Sequence, residues 1–165
     1  GQQCYEVPVG FKYISAKMAE TNAVIGGESS GGLAVRGHIA GKDGIYAAAL
    51  LVEMLAVTGK SVSQLYQEIT DKYGMLYYED AAFTMTQARK VELQEKLFVK
   101  LEVPDFGNTV ETINRTDGCK VYFTDGSWVI CRFSGTEPLL RMAAEGETQS
   151  QARTYIRIWR EALGL

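Results

Sequence analysis

Apolar positions along this chain recur at two spacings, and the pattern changes partway. Phe11, Ile14 and Met18 follow one another at helical intervals after a Pro8-Val9-Gly10 turn, and Ala23-Val24-Ile25 is a short buried-strand candidate running into glycines. Asp43 is placed to cap a helix from Gly44 to about Thr58, nearly all apolar and stopped by Gly59. Such a helix has to be covered on most faces. Ser61 and Gln64 form a capping box, after which Val62, Leu65, Tyr66, Ile69 and Tyr73 make one apolar stripe.

Beyond Tyr73-Gly74 the texture becomes α+β. Met75 to Met85 reads as a strand, and Ala88 to Leu101 as a helix with Val91, Leu97 and Phe98 inward, closed by Pro104. Asp117-Gly118 and Asp125-Gly126 are hairpin signals flanking Lys120 to Phe123 and Trp128 to Phe133, so these two segments should pair antiparallel. Leu139 to Glu145 is the last strand. Thr148 and Gln151 form a second capping box, and Ala152, Tyr155, Ile156, Trp159 and Leu163 give the closing helix an apolar face. The elements predict an α/β and α+β chain: a partial α/β/α sandwich over residues 1–74, then an antiparallel sheet with helices on one side over residues 75–165.

Composition narrows the function classes. At 46% apolar, 165 residues can build a real core. Seventeen Lys and Arg against twenty Asp and Glu leave a net charge of −3 with no long run of either sign, so neither nucleic acid nor membrane is expected as a partner. The most apolar stretch, Ile45 to Val52, is too short to span a bilayer and is followed by Glu53. Cys4, Cys119 and Cys131 are widely scattered, without the close pairs that zinc sites use, which favours a reducing cytoplasm. The chain opens on Gly1 without Met or signal peptide and reads as a piece of a longer protein.

Three segments carry chemistry. Arg132-Phe133-Ser134-Gly135-Thr136-Glu137-Pro138 puts a guanidinium fork, two hydroxyls and a glycine turn within five residues, a set suited to a phosphate. Gly26-Gly27-Glu28-Ser29-Ser30-Gly31-Gly32 places a carboxylate and two hydroxyls among four glycines, which suits sugar hydroxyls approaching close to the backbone. Arg36-Gly37-His38-Ile39-Ala40-Gly41-Lys42-Asp43-Gly44 is not a nucleotide P-loop: Gly37 to Gly41 is one residue short, and Asp43 stands where Ser or Thr is required. Lys42 at a helix start is instead placed to meet an anion or exchange a proton. His38 is the only histidine, which leaves a Ser-His-Asp triad or a multi-histidine metal site hard to assemble.

The order Val9-Gly10-Phe11-Lys12, Gly27-Glu28-x-Ser30-Gly31-Gly32, Lys42-Asp43-Gly44 and Arg132-x-Ser134-Gly135-Thr136-Glu137-Pro138 resembles the α-D-phosphohexomutases, the phosphoglucomutase and phosphomannomutase family, over essentially the whole chain. Members have four domains, so the resemblance implies the latter part of the third, residues 1–74, and the complete fourth, residues 75–165. It implies Glu28 and Ser30 as ligands of sugar hydroxyls and Lys12 in the same cleft. It makes Lys42 a candidate general acid/base and Arg132, Ser134, Gly135 and Thr136 the grip on the non-reacting phosphate. Arg141 is read as supporting that loop, and Ser29 sits at a variable position.

The family's phosphoserine loop and its magnesium-binding loop have no counterpart in these residues. The resemblance therefore implies that Mg2+ is held elsewhere in the intact parent, that this piece alone is inactive, and that its partners are a phosphorylated hexose and the missing N-terminal domains. The parent would interconvert hexose 1-phosphate and hexose 6-phosphate through a hexose 1,6-bisphosphate. The motifs around Phe11-Lys12 and Lys42-Asp43-Gly44 lean toward glucose, with a mannose or dual-specificity enzyme as the alternative and an acetamido sugar disfavoured. A hinge is expected near Gly74, closing one domain over the other. Two other classes stay open, a stand-alone phosphosugar-binding module and a purely structural domain.

Overall fold

The structure, a computed structural model, describes residues 3–100, 102–135 and 137–165. The chain divides into two units, residues 1–73 and 74–165.

In the first unit, α1 (Phe11–Thr21) is followed by a hairpin of β1 (Ile25–Gly27) and β2 (Leu33–Val35), then α2 (Gly44–Thr58) and α3 (Val62–Tyr73). The glycine-rich segment supplies the end of β1, Gly26 and Gly27, and the hairpin connection from Glu28 to Gly32. Helix α1 lies directly on β1: a Cβ added at Gly26 would meet Ile14 Cγ2 at 2.5 Å and Met18 Sδ at 2.6 Å, so only glycine permits this approach. Strand β2 escapes periodicity because three residues are too few to show alternation. The expectation of a buried strand at Ala23-Val24-Ile25 is corrected, since the strand begins at Ile25 and both Val24 and Ile25 are exposed.

Helix α2 forms where expected and for the expected reason. Asp43 Oδ1 accepts from the amides of Ile45 and Tyr46, each at 3.0 Å, and Gly59 ends the helix in the left-handed region. These amides and the ring of His38 hold the Asp43 carboxyl below its ordinary value. Its environment differs from expectation, because no residue of α2 is buried; Ile45 is 87% and Val57 79% exposed. Two three-residue strands are too small a sheet to cover an apolar fifteen-residue helix. The stripe on α3 is open as well, with Val62, Tyr66, Ile69 and Tyr73 exposed. Among the described residues no single helix is long and apolar enough to cross a membrane.

The second unit has a core of its own. β3 (Tyr77–Thr84), β4 (Val110–Asn114), β5 (Cys119–Phe123), β6 (Trp128–Phe133) and β7 (Leu139–Gly146) form an antiparallel sheet ordered β3-β7-β6-β5-β4. The expected pairing of the two hairpin segments is present, with Lys120 opposite Ile130 and Tyr122 opposite Trp128. Strand β4 was not legible because it is an edge strand exposed throughout. Alternate residues of the central strands, among them Val121, Phe123, Val129, Leu140 and Met142, bury one sheet face against α4 (Gln87–Gln94) and α5 (Gln149–Leu163). Trp159 sits at the centre with no exposed surface, edge-on to Phe106.

The helix expected from Ala88 to Leu101 begins at Gln87 and passes at Glu95 into a π-helical turn, Glu95–Val99. Leu101 lies outside the described residues. The inserted residue of a π turn shifts the phase of everything before it. Leu93 and Leu97 therefore face the sheet, whereas Val91, expected inward, is 56% exposed. The cysteines also differ from expectation. Cys119 and Cys131, twelve residues apart, are opposite partners across β5 and β6, both buried, and burial raises both thiol pKa values.

The Asp125-Gly126 turn is tied to α5 by a polar network. Asp125 accepts from Ser127, from Asn108 Nδ2 at 2.8 Å and from Gln151 Nε2 at 2.9 Å, while Tyr155 Oη meets Asn108, Gln151 and Ser127. Burial opposes ionisation of Asp125, but these hydrogen bonds outweigh it and hold the carboxyl below its ordinary value of 3.8. A depressed carboxyl stabilises the folded state above the unfolded-state pKa, and that stabilisation is lost as pH falls through the folded value. Acid unfolding of the second unit, followed by the fluorescence of Trp128 and Trp159, should therefore steepen below about pH 3.8 and be shallower in Asp125→Asn. In urea, Leu97→Ala should cost about 2–5 kcal/mol by the same fluorescence. Val91→Ala should stay within about 0.5 kcal/mol; a large cost there would contradict the π-turn phase.

Candidate functional site

The two chemically loaded loops lie one in each unit. In the second unit β6 delivers Arg132 and β7 carries the chain back with Arg141, the two being direct cross-strand partners. The return is closed by the Ser134 amide on the Leu139 carbonyl at 2.8 Å and tied to β3 by the Met85 amide on the Pro138 carbonyl at 3.0 Å. Cys131 and Phe133 flank Arg132 on the core side, Phe133 packing edge-on against Phe98, so the alternation of β6 turns Arg132 to the other face. Like charges directly opposite in a sheet repel. Yet among the described residues neither guanidinium makes a hydrogen bond or ion pair, and the nearby Glu137 carboxylate makes none.

Ser134 is 9% exposed, and its hydroxyl accepts from the Glu137 amide at 3.3 Å. Gly135 is exposed, a Cβ there would meet nothing within 4 Å, and no bond to its amide is made among the described residues. Thr136, expected in the same grip, lies outside the described residues. On the core side of the loop, Lys90 of α4 donates to the Ser134 carbonyl at 2.9 Å and approaches the Glu137 carbonyl at 3.5 Å. Sequence reading did not single out Lys90, since 44 residues separate it from Ser134 and nothing local marks it. Arg141, expected to support the loop, stands beside Arg132 by register, which pairs Phe133 with Leu140 and Arg132 with Arg141.

In the first unit the structure brings Glu28 and Lys42 together. Lys42 Nζ lies 3.1 Å from Glu28 Oε2 and 5.4 Å from the ring centre of Phe11. Gly32 makes room, because a Cβ there would stand 2.6 Å from Lys42 Cδ and 2.8 Å from Glu28 Oε2. The turn is held by the Glu28 amide on Gly32 and the Gly31 amide on Glu28, both at 2.9 Å. Ser30 is exposed at its tip beside Ser29. Lys12, in the first turn of α1, is exposed with its ammonium 4.9 Å from the ring centre of Tyr13, and no bond joins it to Glu28 or Lys42 among the described residues.

The first-turn amides of α2 at Ile45 and Tyr46 are already taken by Asp43, so the helix start offers an anion little beyond the Lys42 ammonium. His38 bonds Asp43 Oδ2 at 2.8 Å and stacks on Tyr46, so it braces the cap. Among the described residues no cluster of His, Cys, Asp or Glu could hold a metal ion.

Residues 1–73 match the family model for phosphoglucomutase/phosphomannomutase, alpha/beta/alpha domain III, and residues 81–160 match that for the phosphoglucomutase/phosphomannomutase C-terminal domain. A phosphoglucomutase/phosphomannomutase of Thermococcus kodakarensis is 32% identical over 96% of this chain and 32% of its own length. A probable phosphoglucosamine mutase of Methanosarcina acetivorans is 34% identical over 88% of this chain and 30% of its own. The crystal structure of a putative phosphomannomutase from Thermus thermophilus superposes with a TM-score of 0.70 at 26% identity, over 96% of this chain and 30% of that one. The chain thus spans about a third of the length of the curated relatives it matches.

Replacing Gly32 by alanine should separate Lys42 from Glu28 with a stability change below about 1 kcal/mol, since φ at this position suits any residue and the obstructing atoms belong to flexible side chains. A crystal structure of the variant that kept the 3.1 Å contact would contradict this role for Gly32.

Proposed function

We infer that this chain, which belongs to the phosphoglucomutase/phosphomannomutase family, supplies the sugar- and phosphate-binding residues of a phosphohexomutase that interconverts hexose 1-phosphate and hexose 6-phosphate. The observation that carries the reading is the pair Arg132 and Arg141, adjacent on one sheet face without a counter-charge among the described residues. An oxyanion removes their mutual repulsion, and a dianionic phosphate suits two guanidinium forks better than a single carboxylate does. Arg132 holds the phosphate, assisted by Ser134, Gly135 and Thr136. Glu28 and Ser30 take sugar hydroxyls, and Lys12 lines the same region.

Lys42 is the candidate acid/base. Its contact with Glu28 keeps the ammonium beside the carboxylate that receives the sugar, so a substrate hydroxyl entering between them has both an acceptor and a proton donor within reach. The phosphoserine, the Mg2+ ligands and the turnover of the hexose 1,6-bisphosphate intermediate belong, in this reading, to parts of the parent outside the chain. Without them the charge that develops in phosphoryl transfer lacks its main stabilisers, and the chain alone does not catalyse. The uncovered apolar surface of α2 supports the same assignment: Ile45, Val52 and Val57 are the seat of a missing part of the parent.

Glucose is the proposed hexose, with mannose as the alternative. Relatives named as phosphoglucosamine mutases favour one further reading, in which the Glu28 carboxylate meets the ammonium of a glucosamine phosphate. Titrations of the chain with inorganic phosphate and with the 1-phosphates of glucose, mannose and glucosamine separate these cases. Arg132→Ala should weaken all four by about tenfold or more, whereas Glu28→Gln should weaken only the sugar phosphates and most strongly the preferred one. An Arg132→Ala variant that binds all four unchanged would mean a domain without a phosphate site.

A further inference from the structure

We propose that Lys90 is a positioning residue for the phosphate loop, aiming the Gly135 amide at the bound oxyanion; this rests on the reading of Arg132 to Pro138 as a phosphate site. Lys90 belongs to α4, on the side of the sheet where Cys131 and Phe133 are packed, whereas Arg132 and Arg141 project from the other face. Its ammonium donates to the Ser134 carbonyl at 2.9 Å and lies 3.5 Å from the Glu137 carbonyl. In a trans peptide unit the carbonyl and the following N–H point in opposite directions. Holding the Ser134 carbonyl toward the helices therefore turns the Gly135 N–H toward the arginine face.

A Cβ added at Gly135 would meet nothing within 4 Å, and its amide has no partner among the described residues. An ammonium on the carbonyl also polarises the peptide unit, which strengthens its N–H as a donor. The second carbonyl near Lys90, that of Glu137, lies at the other end of the turn, so one side chain braces both limbs. Glycine at 135 is the residue most free to rotate its peptide away. The brace removes that freedom before a ligand arrives, which lowers the ordering cost of binding. Lys90 itself does not touch the phosphate.

The experiment compares the 165-residue chain with its Lys90→Met, Lys90→Arg and Arg132→Ala variants, titrated with inorganic phosphate and followed by the amide resonances of the loop. In the unmodified chain the Gly135 amide should move downfield as phosphate saturates the loop. Lys90→Met should bind about tenfold more weakly and lose that shift, with thermal unfolding of the second unit close to that of the parent chain. Lys90→Arg, which keeps a cationic donor, should recover affinity to within about threefold and restore the shift. If Lys90→Met unfolds, Lys90→Gln takes its place as the uncharged variant. Unchanged affinity and an unchanged Gly135 shift in the uncharged variant, beside loss of binding in Arg132→Ala, would overturn the role of Lys90 alone. No phosphate-dependent shift in the parent chain, or unchanged binding in Arg132→Ala, would overturn the phosphate site and this inference with it.

Discussion

The reversal of the chain from β6 into β7 is the constraint on which the candidate phosphate site depends. Once the Ser134 amide bonds the Leu139 carbonyl, the antiparallel register leaves no choice: Phe133 faces Leu140 and Arg132 faces Arg141. Strand alternation then sends Phe133 and Leu140 into the core and both guanidinium groups to the other face. The same two hydrogen-bonded strands thus bury the apolar residues and concentrate positive charge. The core anchors the site: Phe133 is held by Phe98, and the turn is held from below by Lys90 and from the side by Met85. These contacts brace the described limbs of the turn, and a braced turn needs less reorganisation to bind an anion.

The two units solve the problem of covering apolar surface differently. Residues 74–165 bury one face of a five-stranded sheet under two helices and a π-helical turn, closing around Trp159. Among the described residues the first unit has three helices and only a hairpin of two three-residue strands, with Ile14 and Ala34 as its buried apolar side chains. Its local geometry is nevertheless well specified. The Asp43 cap, the Gly59 stop, the Ser61–Gln64 box and the Lys42–Glu28 contact are interactions between near neighbours or across a tight hairpin. They need little core. Coverage of α2 does, and no residue of that helix is buried.

Much of the fold was legible because its signals are local. Caps and stops at Asp43, Gly59, Ser61 and Thr148 mark helix ends wherever the helices go, since they satisfy first-turn amides or, at Gly59, a last-turn carbonyl. The hairpin of β5 and β6 was legible from Asp125-Gly126 between two alternating runs. What failed did so for reasons of context. Val91 was misplaced because one π-helical insertion moves the phase, and β4 was missed because an exposed edge strand carries no apolar alternation. Cys119 and Cys131 looked scattered because register, and not sequence distance, decides who faces whom.

Residue identity alone determined the chemistry on offer: a guanidinium with hydroxyls and glycine at residues 132–136, a carboxylate among glycines at residues 26–32, and a lysine before a capped helix at Lys42. Donors, acceptors and backbone freedom belong to the residues themselves. Tertiary structure alone decided the neighbours: Arg141 beside Arg132, Lys90 beneath Ser134, and Lys42 against Glu28. Those pairings arise from strand register, helix docking and hairpin closure. Such contacts join residues from nine to 44 positions apart, and only the register of the folded strands and the docking of the helices completes them.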